Sequence, residues 1–78
     1  MSHTPHELTE EFPGSLDAIH ALRTTNAHFA QLAERYRDVN RTLHRMETNL
    51  EPADDFTIED LKKQRLRLMD EIAGYLHA

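Results

Sequence analysis

Residues 29–46, FAQLAERYRDVNRTLHRM, decide the fold because their apolar side chains recur at alternating steps of three and four residues. The positions are Phe29, Leu32, Tyr36, Val39, Leu43 and Met46. An average spacing of 3.5 residues is typical of a helix that packs against another helix along one seam. This stretch therefore predicts a helix that needs a partner.

A second stretch with the same spacing supplies that partner. Its seam positions are Ile58, Leu61, Arg65, Leu68, Ile72 and Tyr75. If the chain folds back about Pro52, the two seams meet in six layers, in which the residue numbers of each facing pair add up to 104. The sequence thus predicts an antiparallel two-helix hairpin. Arg65, opposite Val39, is the one charged seam residue; we expect its charged end to reach solvent, although a role in fixing the register stays open.

Residues that cap or break helices set the element boundaries. Thr4 and Pro5 fit the start of a short helix over about residues 5–11, which Pro13 and Gly14 end. A long helix is predicted over about residues 15–48, and we expect it to continue through the weak helix formers 24–26. A loop over about residues 49–56 follows. Thr57 fits the N-cap of the last helix, which is predicted over about residues 57–77.

The composition agrees with an all-α fold in one domain spanning residues 1–78, because the chain has only two glycines and few aromatic residues. A chain of 78 residues buries only roughly 60% of the surface that its unfolded form exposes. It has no cysteine, so no disulfide adds stability. We therefore expect the hairpin to assemble into a helical bundle. Neither a signal peptide nor a membrane-spanning run is recognisable, which predicts a cytoplasmic protein.

Two apolar surfaces remain without a partner in the predicted hairpin. The last helix carries a second stripe beside its seam, and the long helix extends beyond the hairpin with further leucine and isoleucine side chains. These residues are the predicted partner or oligomer face: Leu16, Ile19, Leu22, Leu66, Met69, Ala73 and Leu76. The short first helix could fold back and cover part of it. We expect a homo-oligomer, either a dimer or a tetramer, and a second protein partner stays open.

Few residues indicate a binding or catalytic role. Arg37, Arg41 and Arg45 form a row that offers an anion-binding face, yet the net charge of −5 disfavours nucleic acid. Among six histidines, only His28 and His77 come close enough to share a metal, and we expect no metal site. No glycine-rich loop or nucleophile arrangement indicates catalysis. We therefore expect no enzyme, cofactor or small-molecule substrate.

The chain resembles the YdcH family of small bacterial proteins. The resemblance extends over nearly the whole chain, through HELTEEFPGSLDAIHALRTTNAHFAQLAERYRDVN (residues 6–40) and LKKQRLRLMDEIAGYL (residues 61–76). Asn26 stands where the family pattern has an acidic residue, and Met69 where it has lysine. The resemblance implies a helical hairpin or coiled-coil protein from a bacterial cytoplasm, without an established activity. Our leading interpretation is a non-enzymatic adaptor or regulator that self-associates; the alternative is a weak nucleic-acid-associated regulator that uses the arginine row.

Overall fold

Four helices make up the fold in the computed structural model, which describes residues 4–48 and 52–77. The helices are α1 (Leu8–Glu11), α2 (Leu16–Thr25), α3 (Ala27–Glu47) and α4 (Asp55–Leu76), and one 3-10 turn, Pro13–Ser15, connects α1 to α2. The described residues contain no β-strand. The all-α fold class is thereby confirmed.

The longest helices, α3 and α4, form the predicted antiparallel hairpin. At its open end, the rings of Phe29 and Tyr75 meet edge to face with their centroids 5.5 Å apart, in the register that the seam spacing predicts. Further along, Arg65 donates a hydrogen bond to Asn40, one residue beyond the predicted neighbour Val39. The seam side chains Phe29, Tyr36 and Ile72 are fully buried, as hydrophobic packing of the two helices requires.

The predicted continuous helix over residues 15–48 is wrong, because the helix breaks at Asn26. The backbone of Asn26 is extended, at φ −129° and ψ 107°, so that α2 ends at Thr25 and α3 begins at Ala27. The hydroxyls of Thr24 and Thr25 donate to the carbonyl of Ala21, at 2.9 and 2.7 Å. The side chain of Asn26 accepts a hydrogen bond from the amide of Phe29 at 3.0 Å and caps the new helix.

This break lets α2 pack against α3 instead of extending away from the hairpin. Ile19 on α2 joins the core and is only 4% exposed, and Leu8 on α1 lies in the same apolar cluster. Phe12 and Leu22 pack against that cluster from its edge. The first helix therefore folds back far enough for Leu8 to share the core with Ile19, as the sequence left open, while α2 packs mainly against α3. Burying these side chains offsets the helical hydrogen bonds lost at Asn26.

The other boundaries differ by a few residues for local reasons. Helix α1 begins at Leu8 and not near residue 5, because His6 adopts a left-handed backbone with φ 62°. Helix α4 begins at Asp55, since Asp54 and not Thr57 provides the cap: its carboxylate accepts from the Thr57 amide at 2.7 Å. These hydrogen bonds lower the pKa of Asp54 below its ordinary value. Of the predicted loop, residues 49–51 lie outside the described residues.

Candidate functional site

Side chains of α3 hold the residues that precede α1 through their backbone carbonyls. The Tyr36 hydroxyl donates to the carbonyl of His6 at 2.6 Å, and the Asn40 amide nitrogen donates to the carbonyl of Pro5 at 2.8 Å. Nearby, the Arg41 guanidinium lies 3.6 Å from the carboxylate of Glu7. Residues 5–7 thus follow the surface of α3 in a non-helical conformation, because α3 supplies the donors that a helical turn would otherwise supply.

Burial strongly affects the ionisation of Tyr36. Loss of solvent around the phenol is the main cause that raises its pKa to about 12, and the negative charge of Glu11 adds to the effect. The phenol is therefore neutral through the physiological range and remains a hydrogen-bond donor to His6. The imidazole of His6 in turn lies 2.6 Å from a carboxylate oxygen of Glu11. This contact joins the residues before α1 to the last residue of α1.

Arg65 is bound within the fold and does not simply extend to solvent. Its Nη1 donates to Oδ1 of Asn40 at 3.0 Å, and Asn40 is only 1% exposed. Asn40 therefore uses both ends of its amide, one toward Arg65 and one toward Pro5. A buried polar residue with satisfied hydrogen bonds specifies one arrangement of its neighbours. This geometry favours the register role of Arg65 over the expected reach to solvent.

A polar cleft of about 230 Å³ opens next to this network. Its walls come from three parts of the chain: the residues before α1, the second half of α3 and the first half of α4. The lining residues are Pro5, His6, Asn40, His44, Glu47, Lys62 and Arg65. Seam spacing did not identify this cleft, because most of its residues lie beside the seam; the charged seam residue Arg65 and the position of Asn40 one turn after Tyr36 were the available signals.

The predicted partner face on α4 is only partly open. Leu66 is 59% exposed near the middle of α4, and Phe56, in its first turn, is 84% exposed. Met69 and Leu76 instead pack against the core of the same chain, and Ala73 is half-buried. Leu66 and Phe56 are therefore the large apolar side chains of α4 that the rest of the described chain leaves uncovered. We call the surface around them the outer face of α4.

The predicted partner residues of α2 are mostly covered. Ile19 is buried and Leu22 is half-buried against the core, whereas Leu16 is 48% exposed. Leu16 lies at the start of α2, next to the 3-10 turn, and is therefore separated from the outer face of α4 along the chain. The structure does not assemble the seven predicted residues into one open surface.

The arginines of the row have partners on α3 and in the residues before α1. Arg37 lies 3.8 Å from the carboxylate of Glu34, Arg41 faces Glu7, and Arg45 donates to the Thr42 hydroxyl at 3.2 Å. Such exposed pairs are worth little in stability, but they reduce the positive potential of the row. The geometry is that of a solvated helix surface.

The histidines predicted to be closest to one another lie at the open end of the hairpin. The ring of His28 is tilted against Tyr75, with a centroid distance of 6.0 Å, and His77 follows the last residue of α4. Across residues 4–48 and 52–77, no group of three histidine or acidic side chains is arranged to hold a metal ion. In the same residues, no helix combines the length and apolar character needed to cross a bilayer.

Comparison with known proteins bears on the hairpin in particular. The model of a family described as a protein of unknown function, DUF465, matches residues 29–76. The chain belongs to the DUF465 family. This family includes the YdcH-like small proteins, so the resemblance is confirmed. The match covers the hairpin and leaves out α1 and α2, and it is thus shorter than the predicted resemblance. No curated protein and no solved structure matches the chain.

Proposed function

We propose that this DUF465 protein is a non-enzymatic adaptor or regulator that acts through protein association, and that it pairs with a second copy of itself through the outer face of α4. The observation that carries the proposal is Leu66, a large apolar side chain 59% exposed in the middle of a long helix. Burying such a side chain fully is worth roughly 1.5–3 kcal/mol, and a symmetric pair buries two.

The charges on either side of Leu66 support an antiparallel pair. Lys63 lies one turn before Leu66 and Asp70 one turn after it, and both are exposed. Within the described residues neither has an ion-pair partner. If a two-fold axis passes between positions 66 and 67, Lys63 of each copy faces Asp70 of the other copy. A parallel pair would instead set like charges opposite each other, which is unfavourable.

The same face favours a dimer over a tetramer. Because Met69 and Leu76 contribute to the core of their own chain, one narrow apolar surface remains for association. Its area is small compared with that of an obligate dimer, so we expect association that depends on concentration. Phe56, which is exposed near the start of α4, comes close to the end of α4 of the second copy in this arrangement.

Light scattering after size exclusion, across a hundredfold range of concentration, tests the proposal. We expect the mass of the wild-type protein to rise from one chain to two, and Leu66→Glu to remain at one chain. Leu16→Glu is the matched control, because it introduces the same charge at the other leucine that is exposed among residues 4–48 and 52–77, which lies on α2. A wild-type mass of one chain throughout, or an equal loss of association in both variants, would refute the proposed face.

A further inference from the structure

We propose that the polar cleft binds a carboxylate monoanion, with Arg65 and Lys62 as the residues that contact it. This inference concerns a different surface from the outer face of α4 and does not depend on self-association. It is derived from the three walls of the cleft and from the donors that the fold leaves available there.

Arg65 carries more hydrogen-bond donors than the fold uses. A guanidinium has five N–H donors, and the contact of Arg65 within the described residues is one bond to the neutral Asn40 amide. Across the same residues, no carboxylate oxygen lies within 4.0 Å of this guanidinium. The group is half-buried and borders the cleft. A positive charge held in place without a counter-charge favours an anion from solution.

Asn40 fixes the direction of this guanidinium. Its amide is buried and is held in turn by the carbonyl of Pro5, so Arg65 is anchored at one nitrogen while its remaining donors stay available. Anchoring of this kind reduces the conformational entropy that the side chain loses when a ligand binds. The planar arrangement of the guanidinium donors matches the two oxygens of a carboxylate.

Lys62 supplies a second positive charge, one helical turn before Arg65. Its Nζ lies 3.8 Å from a carboxylate oxygen of Glu59, and the side chains of Lys62 and Glu59 are 42% and 66% exposed. An exposed pair at this separation contributes little energy, so Lys62 can turn toward a ligand in the cleft at small cost.

The charge and size of the cleft indicate the class of ligand. Lys62 and Arg65 contribute two positive charges and Glu47 one negative charge, while His6 and His44 provide imidazole nitrogens. The formal charges of Lys62, Arg65 and Glu47 sum to +1, which suits a monoanion better than a dianion. The volume of about 230 Å³ lies below that of sites for drug-sized ligands. The carboxylate of a small organic acid and the C-terminal carboxylate of a peptide share this chemistry.

Nuclear magnetic resonance of the Arg65 Nε–H and the Asn40 side-chain amide tests the cleft. We expect sodium acetate to shift both signals with saturation, whereas sodium chloride at equal ionic strength shifts them without saturation. A short peptide that binds more tightly than acetate would identify a peptide carboxylate as the ligand, and equal binding would identify small acids. Tight binding of the same peptide with an amidated C-terminus would overturn the proposal, as would the absence of saturation with acetate.

Two variants and a control locate the binding. Arg65→Gln should weaken acetate binding about tenfold, as expected for a lost charged hydrogen bond. Lys62→Gln, which removes the charge that also lies near Glu59, should weaken it about fivefold and leave the helical circular dichroism spectrum unchanged. Arg35→Gln removes the same charge from an exposed position on α3 outside the cleft and should bind as the wild type does. An equal loss in Arg35→Gln would overturn the assignment to the cleft.

Discussion

The hairpin of α3 and α4 and the N-terminal region of residues 4–25 share one apolar cluster, but different interactions position them. The hairpin is held by a repeating seam of buried side chains along two long helices. The N-terminal region is held by two apolar anchors, Leu8 and Ile19, and by hydrogen bonds from Tyr36 and Asn40 to backbone carbonyls. The family match covers the hairpin only. The hairpin therefore depends on many equivalent contacts, and the N-terminal region on a few individual ones.

The same substitution in each region gives the largest contrast. Ile72→Ala, in the fully buried seam, should lower the free energy of unfolding by about 2–5 kcal/mol in urea denaturation. Ile19→Ala, at 4% exposure on α2, should lower global stability less, because α1 and α2 can open while the hairpin stays folded. Hydrogen exchange should then show faster exchange confined to residues 4–25. If Ile19→Ala accelerates exchange equally in α4, the two regions form one cooperative unit.

Tyr36→Phe tests the polar attachment of the N-terminal region. The loss of its hydrogen bond to the carbonyl of His6 should lower stability by about 1–2 kcal/mol at neutral pH. Exchange should become faster mainly in residues 5–11. A change of less than a few tenths of a kcal/mol would mean that the Asn40 hydrogen bond and the apolar contacts hold this region without the Tyr36 hydroxyl.

The pH dependence of the same variant follows from the raised pKa of Tyr36, about 12 against an ordinary value of 10.0. Below pH 10 the phenol is protonated in both folded and unfolded chains, so its contribution is fully present. Between about pH 10 and 12 the unfolded chain loses this proton first, and the fold loses stability as pH rises. Urea titrations from pH 8 to 11.5 should show a steeper decline for the wild type than for Tyr36→Phe. Parallel declines would contradict burial of the phenol.

Asn26 marks the boundary between the two regions. Asn26→Ala removes the cap of α3 and should destabilise the protein by about 1 kcal/mol. Asn26→Asp, which introduces the acidic residue expected here from the resemblance, retains an acceptor for the Phe29 amide and should match the wild type. Thermal unfolding followed by circular dichroism compares the three proteins. If Asn26→Ala unfolded at the same temperature as the wild type, packing and not the cap would determine the break between α2 and α3.

The smallest expected effect is a gain of stability in the hairpin. Gly74 is exposed in the last turns of α4, and a Cβ at this position meets nothing within 4 Å. Gly74→Ala should therefore stabilise the helix by about 0.5–1 kcal/mol. Hydrogen exchange of α4 should become slower. Exchange of residues 4–25 should keep its rate, because these residues exchange when the N-terminal region opens and the hairpin stays folded. A loss of stability would indicate a close contact at Gly74 in the assembled protein.

The sequence was sufficient to predict the hairpin because its information repeats. Each seam layer indicates the same register between α3 and α4. The observed neighbours of Tyr75 and Arg65 agree with that register within one residue. The break at Asn26 could not be predicted in this way. Three weak helix formers cost only about 1.5–2 kcal/mol, and the decisive gain is the burial of Ile19 against a distant part of the chain.

The candidate sites also differ in whether a sequence pattern could identify them. Leu66 was identified from its position on a second stripe, and it remains exposed. Met69 and Leu76 lie on the same stripe, but they pack against the core of their own chain, to which the N-terminal region also contributes. The cleft was missed because Pro5 and Asn40 are 35 residues apart and meet through a backbone carbonyl, which no side-chain pattern encodes.

A distance measurement on α4 tests the central proposal, antiparallel pairing through its outer face, most directly. The chain has no cysteine, so a spin label on Asp55→Cys, at the exposed start of α4, gives one label per chain. At 1.5 Å per residue, antiparallel pairing about positions 66 and 67 predicts roughly 35 Å between the two labels in pulsed electron resonance. Parallel pairing would bring the labels to roughly 10–15 Å, given helix axes 8–10 Å apart. That short distance, or the absence of any dipolar coupling at high concentration, would contradict the proposal.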